Sequence, residues 1–209
     1  MRIDLLKTTP NRAGQYFVRF DNGSTLRLYR QTIEDFSLYP GMELSEELYR
    51  RLLASAGEVS AKMRAVRIIS ATSISKKDLE NRLIQKGEEP SQAKQTVRWL
   101  EDLNLVDDAK TAEQIVHSCI SKGYGLSRAK QALYEKRIPK ELWEVALCGY
   151  PDQKEKIRSF LESRLQGNSD GREIKKAVDS LLRRGHSYRV IREVLNALSF
   201  DTDDFPEDE

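Results

Sequence analysis

Shifted by fifty residues, Ala65, Val66, Ile69, Ser73, Ser75, Leu79 and Leu83 fall without a gap on Ile115, Val116, Cys119, Gly123, Gly125, Ala129 and Leu133. Shifted by one hundred and twelve, the same set falls on Ala177, Val178, Leu181, Gly185, Ser187, Ile191 and Leu195. Each copy has apolar residues four apart, a small residue or turn, and apolar residues four apart again. That is the pattern of two amphipathic helices joined by a tight corner. Used three times, it predicts a mostly α fold of tandem three-helix repeats in an elongated array, nine helices in three groups. Such an array presents a long face to another macromolecule, so the pattern points to binding before catalysis.

Composition fits thin helical layers better than one thick core: 39% of the residues are apolar, 8% aromatic and 33% charged. The net charge of +2 hides a polarised layout. Residues 1–60 hold eight basic and eight acidic side chains, residues 61–198 hold 27 basic and 19 acidic, and the last eleven add six acids and no base. A basic body with an acidic tail suggests an acidic partner, nucleic acid or protein, against the plainer reading of a solvated helical surface. No apolar run approaches a membrane span and the N-terminus lacks a leader pattern. Cys119 and Cys148 are the only cysteines. With no CxxC, they predict a reducing, cytoplasmic setting. Cys119 takes a repeat position held elsewhere by Ile69 and Leu181, which predicts a buried small hydrophobe.

The first thirty residues change period. Gln15 to Phe20 and Thr25 to Tyr29 read as strands around the Asp21-Asn22-Gly23-Ser24 turn, with Met1 to Lys7 as a third strand. Helices are expected from Arg30 to Phe36 and from near Ser45, so residues 1–58 form a small α+β module with a β-hairpin, ending at a joint near Gly57. Repeat unit 1 is expected over 61–103, unit 2 over 107–149 and unit 3 over 152–198. The acidic tail, 199–209, is expected to be disordered. Ser75-Lys76-Lys77-Asp78 has capping-box form, Lys86-Gly87 a helix stop, and Asp107-Asp108 a helix start. Ala93, Val97, Leu100 and Leu103 make one stripe and Ile157, Phe160, Leu161 and Leu165 another. Residues 167–171 read as a flexible connection before the third copy.

Catalytic constellations are missing. GxSxG, HExxH, Walker-type and strand-linked GxGxxG motifs do not occur. His117 and Cys119 sit two apart, so they point to different sides of a helix and share no metal. Lys122-Gly123-Tyr124-Gly125 joins two helices rather than a strand and a helix, so no phosphate cradle is expected there. No catalytic residue, cofactor or metal is expected, and the chain reads as something other than an enzyme.

At the level of residues the chain resembles the RecX family of recombination regulators. The run Ser121-Lys122-Gly123-Tyr124-Gly125-Leu126-Ser127-Arg128-Ala129-Lys130-Gln131-Ala132-Leu133 carries the resemblance best, with Leu105-Val106-Asp107-Asp108 and Ala112-Glu113 upstream. Ser75, Asp78-Leu79, Leu83 and Lys86-Gly87 match the first unit, and Leu182-Arg183-Arg184-Gly185-His186-Ser187-Tyr188 the third. The β module is similar to the N-terminal extension of family members from Gram-positive bacteria. The chain departs at Leu126, Thr111 and Asn104, where the family usually has proline, an aromatic and often glycine.

A monomer is expected, and the resemblance implies that it binds the RecA recombinase, chiefly as its filament on single-stranded DNA. It would inhibit filament extension, ATP hydrolysis and strand exchange, with weak direct DNA contact and no membrane. The side chains expected to make these contacts are Arg64, Arg67, Arg98, Lys122, Tyr124, Arg128, Lys130, Arg183 and Arg189. Direct DNA binding through helix-turn-helix-like units is the alternative. A purely structural helical scaffold for another protein also fits the periodicity.

Overall fold

In the computed structural model, residues 1–8, 14–166 and 170–199 are described. The chain divides after Val106 into two compact units.

The first unit opens with a three-stranded antiparallel sheet, β1 (Ile3–Thr8), β2 (Gln15–Phe20) and β3 (Thr25–Tyr29), in the order β1-β2-β3. The hairpin closes where the sequence places it, with Phe20 N donating to Ser24 O at 3.0 Å and Gly23 at φ +80°. Alternation puts Val18, Phe20 and Leu28 on the buried face. Two strands and a turn are marginal alone, and here the sheet rests on α1 (Arg30–Asp35) and α2 (Glu46–Ala71). Leu52 of α2 joins Ile3, Val18, Phe20 and Leu28 in one core, and Phe20 meets Tyr49 edge to face at 5.5 Å.

No joint forms at Gly57. The α2 helix runs through it for 26 residues, capped by Ser45 Oγ, which accepts from Leu48 N at 3.1 Å. Its first half serves the sheet and its second half, through Ala65, serves the first helical group with α3 (Lys76–Gln85) and α4 (Pro90–Asp102). One glycine costs a helix only about 1 kcal/mol, which packing on two cores offsets. Leu103 also departs from expectation. The helix ends at Asp102, so Leu103 is its C-cap residue and is half exposed instead of extending the stripe.

The second unit holds α5 (Asp108–Ser121), α6 (Leu126–Glu135), a 3₁₀ turn (Lys140–Leu142) with α7 (Trp143–Leu147), then α8 (Lys154–Leu165), α9 (Gly171–Arg183) and α10 (Tyr188–Ala197). The repeat holds to the residue. Helices α3, α6 and α10 start and stop at positions offset by fifty and one hundred and twelve, as do the ends of α2, α5 and α9. Leu83, Leu133 and Leu195 are all buried. Val66 breaks the correspondence, being 40% exposed where Val116 and Val178 are buried. In the third group the additional helix, α8, precedes the repeated pair, whereas α4 and α7 follow theirs.

The three departures from the family pattern have local reasons. Asn104 sits at φ +55°, a conformation glycine takes without penalty and asparagine tolerates. Leu126 is the first residue of α6, where proline would fit equally. Thr111 is buried, and its hydroxyl donates to Asp107 O at 2.7 Å. Asp107 caps α5 by accepting from Ala109 N and Lys110 N, and Asp170 caps α9 from within the stretch that reads as a flexible connection. Expectations for residues 167–169 and for the tail beyond Ser199 lie outside the described residues. Among the described residues no helix is long and apolar enough to cross a membrane.

Candidate partner-binding surface

The nine side chains singled out in the sequence fall in both units. Arg64 and Arg67 stand on α2 and Arg98 on α4 in the first; Lys122, Tyr124, Arg128, Lys130, Arg183 and Arg189 are in the second. Their environments separate them. Arg67, Arg98, Lys122, Lys130 and Arg183 are exposed. Arg64 is engaged internally: its Nε lies 2.7 Å from Oε1 of the buried Glu88, without the alignment of a hydrogen bond. Glu88 also accepts from Ser60 Oγ at 3.2 Å. Arg128 pairs with Glu135 at 3.2 Å.

Arg189 shares Glu193 with Lys154, at 3.2 and 2.9 Å. The bond to Lys154, then that to Arg189, holds the Glu193 carboxyl below the usual range. Exposed pairs of this kind exchange readily for a partner's carboxylate or phosphate, because each contributes little in water.

In the second unit, two corners built by the repeat meet. The α5–α6 corner, residues 122–125, lies against the α9–α10 corner, residues 184–187. Gly125 N donates to Arg184 O at 2.9 Å, and Ser127 N to Gly185 O at 3.3 Å. His186 places Nε2 3.0 Å from Gly123 O. A carbonyl only accepts, so the ring carries its proton on Nε2. Tyr150 donates its hydroxyl to Tyr124 O at 2.7 Å, and Lys156 donates to Ile120 O. These bonds bring the segments that carry Lys122, Arg128 and Lys130 against those that carry Arg183 and Arg189. Tyr124 is half-buried and contributes its carbonyl to the joint.

In the sequence Gly125 and Gly185 stand as repeat positions and His186 as part of the third-unit match, and neither they nor Tyr150 are among the candidate contact residues. One signal was present: across the three copies the N-cap position reads Ser75, Gly125, Ser187, and the exception marks the contact.

Burial pushes the Tyr150 hydroxyl up to about 12, with Cys119 adding to it. Burial likewise raises the Cys119 thiol, against the opposing pull of Lys122 and Arg128, which fits a packed rather than a reactive cysteine. His186 goes the other way. Burial lowers its pKa, the Gly123 bond resists, and Arg184 lowers it further. The unfolded chain therefore takes the proton first. The stabilisation from neutral His186 is fully present above about pH 6.5, and is lost as pH falls through that value towards the folded pKa. The urea midpoint should fall between pH 7.5 and 5.5, and by less in His186→Gln; equal falls would remove His186 as the cause.

Two open grooves flank Tyr150. One, of about 750 Å³, is lined by residues that include His117, Ile120, Lys122 and Cys148; the other, of about 740 Å³, by Leu126, Lys130, Lys140 and Trp143 among others. No group of three His, Cys, Asp or Glu able to hold a metal occurs among the described residues.

Helical pairs repeated in register, with a cationic rim around one corner contact, define a tandem three-helix repeat protein. The family model for the second three-helix domain of RecX matches residues 107–147, which span α5 to α7. A regulatory protein RecX of Xanthomonas axonopodis pv. citri is 31% identical over 144 residues, covering 68% of this chain and 87% of that protein. The regulatory protein RecX of Clostridioides difficile strain 630 is 26% identical over 207 residues, covering 96% of each chain. A crystal structure of regulatory protein RecX superposes on 93% of this chain and 98% of its own, with a TM-score of 0.63 at 20% identity, and shares the fold. The chain belongs to the RecX family of regulatory proteins.

Proposed function

We propose that the chain is a monomer that binds the RecA recombinase, chiefly as its filament on single-stranded DNA. There it inhibits filament extension, ATP hydrolysis and strand exchange. The observation that carries this reading is membership of the RecX family over nearly the whole chain. The physical arrangement supports it. Several weak ionic contacts carried on one chain add up to firm binding when they engage successive subunits of a polymer. Arg67, Arg98, Lys122, Lys130 and Arg183 are exposed and ready to contact acidic protein surface or phosphate. Arg128 and Arg189 are held in exchangeable pairs with Glu135 and Glu193, while Tyr124 and Arg64 act through the fold.

The test is DNA-dependent ATP hydrolysis by RecA assembled on single-stranded DNA, with the chain added below stoichiometry. A progressive fall in rate supports the reading. Unchanged hydrolysis and filament length, with a folded chain, overturn it. Tight, sequence-specific binding to naked duplex would then favour direct DNA recognition through the helical corners.

A further inference from the structure

We infer that the contact between residues 123–127 and 184–186 is a locked joint in which the third helical group supplies the cap that α6 lacks, so that Gly125, Gly185 and His186 are positioning residues for Arg128 and Lys130. The positional part rests on the function proposed above; the joint itself does not.

The repeat provides an internal control. At the equivalent position Ser75 caps α3, its hydroxyl accepting from Asp78 N at 3.1 Å, and Ser187 caps α10, accepting from Val190 N at 3.3 Å. Gly125 has no hydroxyl and makes no side-chain cap. A serine or aspartate in its place would ordinarily stabilise the helix. What glycine permits is proximity. A Cβ on Gly125 would lie 2.0 Å from Gly185 O, and one on Gly185 would lie 2.3 Å from Arg128 N. Gly185 also has φ +83°, which side chains rarely adopt.

The space so gained is filled by Gly185 O itself, which accepts from Ser127 N, one of the first-turn amides that a helix leaves unbonded. On the other side of the corner, Ile120 O, near the end of α5, accepts from Lys156 in addition to Gly123 N, and Gly123 O, just past that end, accepts from His186. The third group thus contributes bonds to both helix ends at this corner. Opening the joint frays the first turn of α6, the turn that holds Arg128 and leads into Lys130.

Gly125→Ser in the full-length chain restores the residue that caps α3 and α10 and inserts a Cβ against Gly185 O. Spin labels at Glu113→Cys on α5 and Lys175→Cys on α9, in a Cys148→Ser background, report the joint with no partner present. The parent should give a narrow distance distribution and Gly125→Ser a broad one, with helical content retained. Its potency against RecA ATPase should fall about tenfold as the two groups stop acting as one ligand.

His186→Ala should broaden the distribution as well, while His186→Gln, whose amide still reaches Gly123 O as a donor, should restore it. That pair decides the matter if Gly125→Ser does not fold. An unchanged distribution in Gly125→Ser or His186→Ala overturns the joint. A broadened distribution with undiminished inhibition overturns the positioning role. A parent chain that does not inhibit RecA counts against the proposed function alone, because the distance measurement needs no partner.

Discussion

Replacing Arg64 with alanine destabilises the first helical group by about 2–3 kcal/mol, read as a lower urea midpoint at unchanged slope. The cause is the carboxylate left behind. Glu88 is 8% exposed, and among the described residues its side-chain hydrogen bond is from one hydroxyl, that of Ser60. Removing one partner of a buried pair leaves a desolvated charge, which costs about 3–5 kcal/mol when the pair is fully dry. Arg64 is partly open to water, so the loss falls at or somewhat below the bottom of that range. Arg64→Ala combined with Glu88→Gln should recover much of the loss, because a neutral amide is cheaper to bury than an unpaired carboxylate. Arg67→Ala, on the exposed side of the same helix, should change stability by no more than about 0.5 kcal/mol. A stable Arg64→Ala variant would return Arg64 to the set of partner contacts.

Reversing both charges on α6, Arg128→Glu with Lys130→Glu, should leave the helical content intact and weaken inhibition of RecA ATPase by about tenfold to a hundredfold. Arg128 gives up one half-exposed pair with Glu135, and Lys130 is exposed, so folding loses little. Binding loses two attractions and gains two repulsions. The remaining inhibition should also depend less steeply on salt, since fewer ionic contacts are made. Lys175→Glu, an exposed reversal on α9 outside the proposed surface, is the control. Equal inhibition by the parent and the double variant would remove α6 from the contact surface and leave Arg183, Lys122 and the first unit to explain the binding.

The fall in stability with acid through His186 and the opening of the joint by Gly125→Ser concern the same contact from two sides. One loads a proton onto a buried ring, and the other inserts a methylene between two backbones. Both should show first in α6, whose opening turn depends on Gly185 O.

Much of the fold was legible because helix periodicity and capping are local. Ser45, Ser75, Asp107 and Pro90 mark helix starts within one or two residues of where the chain folds them, and the hairpin at Asp21–Ser24 needs no tertiary information. The offsets of fifty and one hundred and twelve fixed the registers of α3, α6 and α10. Gly57 misled for the opposite reason. A glycine weakens a helix locally, but α2 is held by two separate cores, and packing outweighed propensity.

The partner surface was legible only in composition. A list of basic residues does not say which charges are engaged. Arg64 is held by an ion pair to a glutamate twenty-four positions away, whereas Arg67 on the same helix is open. The sequence by itself determined the repeat, the caps and the basic balance, since each depends on neighbours within a few turns. Only the tertiary structure decided that Gly125 and Gly185 meet, that His186 is buried neutral, and that one helical group adds bonds to the helix ends of another. Those facts depend on two backbones approaching across some sixty residues of chain, a distance over which local preference carries no information.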